Sequence, residues 1–271
     1  MAGLHIVVCM KVVPKSEEVT VNAETRTLDR SRARSEFNGP DMNALEAGLQ
    51  LKGAHGGRIS LLSMGPPFCE PYLRLGLAMG ADAAFLMSDR VFGGADTLAT
   101  SYTLARGVSA IGKVAGEVDL VLCGEESSDG ATGQVPPGIA EWLNVPQLTY
   151  ASHLDVVARR RVLRARRELG SGFEIVEAPL PCVVSLKSGC NEPRFLDLQR
   201  WDWAMGGAPV TVWTAGDMDF DRSCLGLDGS PTIVAGVSAA SAATRRRELL
   251  SGTPQQEAEK LSELLRPLLP A

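Results

Sequence analysis

Residues 118–143 read VDLVLCGEESSDGATGQVPPGIAEWL. A continuously apolar run stops at Cys123-Gly124, a loop of Gly, Ser, Asp and Thr follows, and a helical pattern starts near Thr132. A loop of this kind at the carboxyl end of a buried strand offers free backbone N–H groups, and the helix N-terminus behind it adds positive potential. The combination is an anion site, for which phosphate is the usual guest. A plain tight turn would connect the two elements without so many small polar residues.

The same strand-then-helix rhythm extends to both sides. Apolar, β-rich runs occur at 4–13, 58–64, 82–87, 118–123 and 146–151, with helical patterns between them at 41–52, 67–79, 95–113 and 132–143. Strands this uniformly apolar are covered on both faces. Repetition of strand and helix gives right-handed crossovers. The expected fold is α/β, a Rossmann-like parallel sheet with helices on both faces. Residues 152–187 read as a β excursion turning near Gly170-Ser171-Gly172, followed by the apolar run PLPCVVSL. After Pro193 the rhythm weakens, an Ala/Ser stretch follows residue 236, and a last amphipathic helix is expected at about 254–266. We read 1–200 as one α/β domain and 201–271 as an extended C-terminal arm that packs on something else, because its apolar periodicity is too sparse for a core of its own.

Composition narrows the function. Lys and Arg number 27 against 32 Asp and Glu, a formal charge of −5, so nucleic acid and anionic membranes are not the expected partners. The opening apolar run is short and interrupted by Lys11, which fits a first buried strand and neither a signal peptide nor a membrane span. Six cysteines at 9, 69, 123, 182, 190 and 224 include no Cys-x-x-Cys pair, a usage that points to a reducing, cytoplasmic setting. His5, His55 and His153 are scattered, so no metal site is expected. There is no GxSxG elbow and no GxGxxG after the first strand. GVSAIGKV at 107–114 imitates a phosphate loop, but it ends in Val and lies within a helix. Six arginines between 159 and 167 read as the solvated side of a hairpin, or else as a surface for an acidic protein partner.

Other loops fall on the sheet edge that carries 124–134. Cys9-Met10-Lys11 ends the first strand, Ser63-Met64-Gly65 the second, and Ser88-Asp89-Arg90 the third, which leads into the hydroxyl-rich helix start Asp96 to Tyr102. These loops ring one crevice, where open α/β sheets bind ligands. Lys11 and Arg90 supply cations, and the hydroxyls suit a ribose or ribityl chain.

The segments VVCMKVVP, NGPDMNALEAGLQLK, SMGPP, LAMGADAAFLMSDR, DGATGQVPPGIAEWLNVPQLTYAS and KSGCNEPRF, in this order over nearly the whole chain, resemble the β subunit of electron-transfer flavoproteins. The resemblance implies an α subunit carrying FAD, and electron shuttling from an acyl-CoA dehydrogenase-type flavoprotein. It further implies either a structural AMP or a second FAD in this chain. SDRVFGGADTLATSYTL resembles the electron-bifurcating type, which implies FAD, NADH as hydride donor, and a low-potential acceptor such as ferredoxin or flavodoxin.

Carried onto this sequence, the resemblance sets Cys9, Lys11, Cys123 and Gly124 along the adenosine, and Thr132, Gly133, Gln134 and Val135 at the phosphate. It sets Asp89, Arg90, Thr97 and Thr100 along the flavin, with Arg90 as the flavin-tuning candidate and no general acid or base. Ser63, Met64, Gly65 and Asp129 complete the expected cofactor set. Cys190, Asn191, Glu192, Pro193 and Arg194 fall in the loop that recognises the partner dehydrogenase. Glu125, Glu126, Ala131 and Pro136 depart from the bifurcating pattern, and two acids beside a diphosphate weaken binding unless they point away. An ATP-using ligase or nucleotide sensor of similar fold would need a pyrophosphate loop after the first strand, and Val8 to Lys11 offers none.

Overall fold

Leu4 to Cys9 form a strand in which all six side chains are buried, the mark of a strand with a partner on each side and a helix on each face. The computed structural model describes residues 3–15, 20–21, 28–29, 34–232 and 249–268; the Ala/Ser stretch after 236 lies outside them. In chain order the elements are β1 (Leu4–Cys9), β2 (Val12–Pro14), β3 (Thr20–Val21), β4 (Leu28–Asp29), β5 (Ser35–Phe37), α1 (Gly39–His55) and β6 (Gly57–Met64). Next come α2 (Glu70–Met79), β7 (Ala83–Met87), α3 (Thr97–Ala115), β8 (Leu120–Gly124), α4 (Val135–Leu143) and β9 (Gln147–Val157). Then follow β10 (Val162–Leu169), β11 (Gly172–Pro179), β12 (Cys182–Leu186), α5 (Leu198–Gly206), β13 (Val210–Trp213) and α6 (Pro254–Leu265).

Nine strands form one sheet in the order β11-β10-β9-β12-β8-β1-β6-β7-β13. From β9 to β13 neighbouring strands are parallel, and β10 and β11 extend one edge as an antiparallel hairpin. The chain moves outward from β1 through β6 to β7, then returns to β8 on the other side of β1. The order therefore reverses between β1 and β8, and the crevice above their carboxyl ends is the switch point.

Two apolar layers follow from that winding. Leu45, Leu49, Leu73 and Leu77 from α1 and α2 pack on Ile6, Val8, Ile59 and Leu61. On the opposite face, Tyr102, Val108, Ile111 and Ile139 from α3 and α4 pack on Val7, Leu62 and Val121. Side chains of this size contribute about 1.5–3 kcal/mol each when fully buried.

Three expectations need correction. The apolar run 4–13 is two strands: β1 ends at Cys9, Lys11 turns out, and Val12–Pro14 pairs with β5. The helix expected from Thr132 begins at Val135 with prolines in its first turn, which leaves 131–134 as loop. Residues 201–232 do not stand off as an arm: they belong to the same compact unit as the sheet, with β13 completing its edge beside β7. Arg74 of α2 binds the Ala204 and Ala208 carbonyls at 3.0 Å, fastening α5. The second compact unit, 238–271, contains α6, opened by a Thr253–Gln256 capping box and carrying exposed Leu261, Leu264 and Leu265.

The arginine-rich hairpin is largely neutralised within itself. Arg160 and Arg164 pair with Glu177, Arg167 with Glu174 and Arg161 with Asp119, while Arg166 lies over the Phe173 ring at 4.2 Å.

At the amino end of β1, buried His5 is bonded at both ring nitrogens. Its Nδ1 lies 2.7 Å from the Gly116 carbonyl and Nε2 lies 2.9 Å from Ser60 Oγ, so the neutral ring donates from Nδ1 and accepts at Nε2. Burial holds its pKa below the ordinary value of 6.5. The unfolded chain therefore takes up this proton at a higher pH than the native state. The contribution of neutral His5 is present above the ordinary value and lost as pH falls below it. We expect the stability gap between wild type and His5→Gln to narrow from pH 7 to pH 5, read by urea unfolding; a constant gap would contradict this assignment.

Candidate functional site

The crevice is built on one buried carboxylate. Asp41, in the first turn of α1, accepts the backbone N–H of Lys11 at 2.8 Å through Oδ2 and that of Gly124 at 2.9 Å through Oδ1. It thus joins the carboxyl ends of β1 and β8, the two strands that flank the switch point. Burial pushes its pKa up to about 6, against the pull of those two N–H bonds. Gly124 has to be glycine here: a Cβ would lie 2.5 Å from Asp41 Oδ1 and 2.6 Å from Pro40 Cβ.

The loop after β8 is gripped at its start and open at its end. Asn38 donates to the Glu126 carbonyl at 2.8 Å and accepts the Ser128 N–H at 3.1 Å. Lys11 Nζ reaches Asp129 Oδ1 at 2.6 Å and Ser127 Oγ at 3.2 Å, so both charges predicted for the ligand also bind each other. Ala131 and Gly133 take left-handed conformations, with φ of 47° and 64°. Among the described residues, the backbone N–H groups of Thr132 and Gly133 meet no protein acceptor.

Two helix N-termini converge on this open end. Thr97 Oγ1, at the start of α3, donates to Gln134 Oε1 at 3.1 Å, just before α4. The helices approach closely because residue 138 is glycine; a Cβ there would lie 2.6 Å from Ser101 Oγ. Neither helix has an acid in its first turn, so their positive ends face the crevice unopposed apart from the capping Asp96.

The remaining expected site residues divide. Thr100 is half-buried on α3, and Met64 ends β6 with Gly65 just beyond it on the same edge. Ser63 Oγ is buried there and is, among the described residues, the one buried side-chain polar atom without a partner. Asp89 is committed elsewhere: its carboxylate accepts the N–H groups of Val91 and Ala215, which hold its pKa below the ordinary value. Arg90 is exposed, and among the described residues its guanidinium has no partner. Cys9 and Cys123 meet across β1 and β8, and the hydrogen bond between them, which the Cys123 thiol donates, together with burial pushes that thiol well up. Both side chains are buried in the wall of the crevice.

Sequence reasoning passed over Asn38 and Asp41, and with them Asn43 and Glu46 on the same helix. The available signal was the lack of any polar face in 41–52, DMNALEAGLQLK, where polar residues interleave with apolar ones. It also left open where Glu125 and Glu126 point. Glu125 Oε1 turns away from the crevice to accept the Ser188 N–H at 2.9 Å, and Glu126 is exposed.

Asn191 and Arg194 of the second candidate site are anchored inward. Asn43 donates to the carbonyl and side-chain oxygens of Asn191 at 2.8 and 2.9 Å and receives a bond from Asn191 at its own carbonyl. Arg194 binds both oxygens of buried Glu46, at 2.8 and 2.9 Å. The tip beyond is apolar and bare, with Phe195 97% and Leu198 81% exposed. Cys190 is half-buried, while Glu192 and Pro193 are exposed.

Fold and crevice together define an open, doubly wound α/β protein with a small-residue loop and two helix N-termini at its switch point. Comparison with known sequences takes the assignment further. Residues 25–218 match the family model described as the electron transfer flavoprotein domain. An electron transfer flavoprotein subunit beta of Clostridium acetobutylicum is 42% identical over 231 residues, 85% of this chain and 86% of the relative. Protein FixA of Azorhizobium caulinodans is 40% identical over 263 residues, 95% and 92% of the two chains. The caffeyl-CoA reductase-Etf complex subunit CarD of Acetobacterium woodii is 39% identical over 238 residues, 85% and 86%. The chain belongs to the electron transfer flavoprotein β subunit family. Among its described residues no helix is long and apolar enough to cross a membrane.

Proposed function

We propose that this chain is one subunit of a heterodimeric electron-transfer flavoprotein, that its switch-point crevice holds FAD, and that the complex takes hydride from NADH for electron bifurcation. The donor set fits a flavin nucleotide. The unpaired Thr132 and Gly133 N–H groups and the two helix N-termini suit a diphosphate, and the orphaned Ser63 hydroxyl and the buried Cys9–Cys123 wall suit the rest of the nucleotide.

The observation that carries FAD over AMP is the 88–104 segment. Asp89 and Asp96 brace it by accepting backbone N–H groups, Thr97 bonds Gln134 of the phosphate loop, and exposed Arg90 and half-buried Thr100 lie on the same segment, which we read as a rim. AMP alone would end at the phosphate loop and give this rim nothing to hold. Similarity to a subunit of a caffeyl-CoA reductase-Etf complex supports the same choice. When bound, the flavin supplies the hydride and single-electron chemistry. The protein binds it, orients it and excludes water, and Arg90 is the candidate for tuning its potential, since a cation nearby favours the electron-rich reduced ring.

An α subunit is the expected partner, with the exposed leucines of α6 in the 238–271 unit available to pack on it. The 190–194 loop, with the apolar tip at Phe195 to Leu198, suits docking to an acyl-CoA dehydrogenase-type flavoprotein. A ferredoxin or flavodoxin would accept the low-potential electron.

The test is direct. The complex is co-produced with its α subunit and denatured, and the released nucleotides are counted by absorbance and mass. Two FAD per heterodimer is the expected result. One FAD with one AMP would overturn the bifurcating reading in favour of a simple carrier.

A further inference from the structure

Helix α1 carries three buried polar side chains within two turns, and they act on two different places. Asp41 holds the ends of β1 and β8 beneath the crevice. Asn43 accepts the Gly189 N–H at 3.0 Å and exchanges three bonds with Asn191, while Glu46 accepts from the Arg194 N–H and guanidinium. A second bridge runs directly between the two places. Glu125, the first residue past β8, donates its N–H to the Leu186 carbonyl at 2.9 Å and accepts the Ser188 N–H through Oε1 at 2.9 Å.

Beyond backbone bonds at its two ends, from Lys187 to Ala151 and Asp197 to Ala78, a Lys187–Glu168 ion pair and the packing of Cys190, these side chains are what holds the loop. Residues 187–197 contain no helix or strand, and their tip is solvent-exposed. Order in such a segment rests on a few polar tethers set against chain entropy, so the segment responds to anything that steadies the tethering groups. Glu125 is one of those groups and stands at the root of the 125–134 loop.

We propose that Glu125 is a positioning residue that, with helix α1, makes the order of the 187–197 loop depend on the filling of the crevice. A nucleotide held at Thr132 to Val135 restrains the far end of the 125–134 loop, whose near end is already gripped by Asn38. Glu125 then has fewer alternatives to its bond with Ser188, and the loop carrying Phe195 pays less to stay ordered. The coupling is entropic and needs no large movement. By reciprocity, a partner that captures the loop tightens the nucleotide. The inference rests on the reading of the crevice as a nucleotide site and of 187–197 as the docking loop.

Hydrogen exchange read by mass spectrometry tests it. The full chain, in complex with its α subunit, is stripped of nucleotide and resupplied with FAD or, separately, with AMP; retention is measured by absorbance. The reporters are the amides of Ser188, Gly189 and Arg194. In wild type, exchange is expected to slow by about fivefold or more on nucleotide binding. Glu125→Gln, which keeps an oxygen acceptor, should behave as wild type, whereas Glu125→Ala should show less than about half of that slowing while still retaining nucleotide. Equal slowing in wild type and Glu125→Ala would overturn the role of Glu125. Retained nucleotide with no slowing in wild type would overturn the coupling itself. Failure to retain either nucleotide in wild type would remove the crevice reading instead, and is distinguished by the absorbance alone.

Discussion

Asp41→Ala is expected to destabilise the chain by about 3 kcal/mol at pH 7. The substitution leaves the buried N–H of Gly124 and the part-buried N–H of Lys11 without their acceptor, and each such loss costs roughly 1–3 kcal/mol, less where water can reach the group. Part of that is returned, because the native state no longer keeps a carboxylate ionised in a buried place. Asp41→Asn isolates this opposing effect. With a native pKa of about 6 against an ordinary 3.8, Asp41 binds its proton more readily in the folded than in the unfolded chain. Its contribution to stability is therefore larger in acid and falls as pH rises from about 4 to about 6. Stability of wild type relative to Asp41→Asn should rise on acidification from pH 7 to pH 5, the opposite direction to that expected for His5. Urea unfolding at the two pH values measures both. An Asp41→Ala variant as stable as wild type would mean that the two strand ends hold their places unaided.

Gly124→Ala is expected to cost about as much by the opposite route, intrusion instead of loss. The added carbon would meet Asp41 Oδ1 at 2.5 Å, Pro40 Cβ at 2.6 Å and the Pro40 carbonyl carbon at 2.7 Å, and the last of these belongs to the backbone of α1. Overpacking against a flexible side chain is cheap, but against a helix start it moves the helix, at about 1–3 kcal/mol or more. Because α1 and β8 share Asp41, the two substitutions should be non-additive: Asp41→Ala removes the closest clash and leaves those with Pro40. Denaturant midpoints for the single and double variants decide this. Full additivity would show that Gly124 and Asp41 do not act on each other.

Much of the architecture is legible in the sequence because the signals are local. The central strands are mostly apolar, and each crossover helix is bounded by Pro, Asp or Gly. The end of β1 is not legible, since Val12 and Val13 prolong the apolar run and nothing nearby says that Lys11 turns towards a carboxylate thirty residues on. The crevice loops can be placed on one edge from strand order alone, which brings Cys9, Lys11, Cys123 and the 124–134 loop together. What holds them cannot be read so easily. Asp41 looks like an ordinary acid at a helix start, and Asn43 and Glu46 look like solvated helix positions. The partners described above lie 30 to 148 residues away. Asp89, which the resemblance sets along the flavin, accepts the Val91 and Ala215 N–H groups, and the second of these partners, 126 residues on, leaves no local trace either.

The place of β1 in the sheet has a consequence during synthesis. It is made before both of its neighbours, β6 and β8, and reaches the second only after residue 124 has been made. At ordinary translation speeds that interval is on the order of ten seconds. Through it, a strand apolar except at His5 keeps an unpaired edge, available to chaperones and to other nascent copies alike. Yield in the cell is then set by how that edge is sheltered, a quantity that melting experiments on the finished protein do not report.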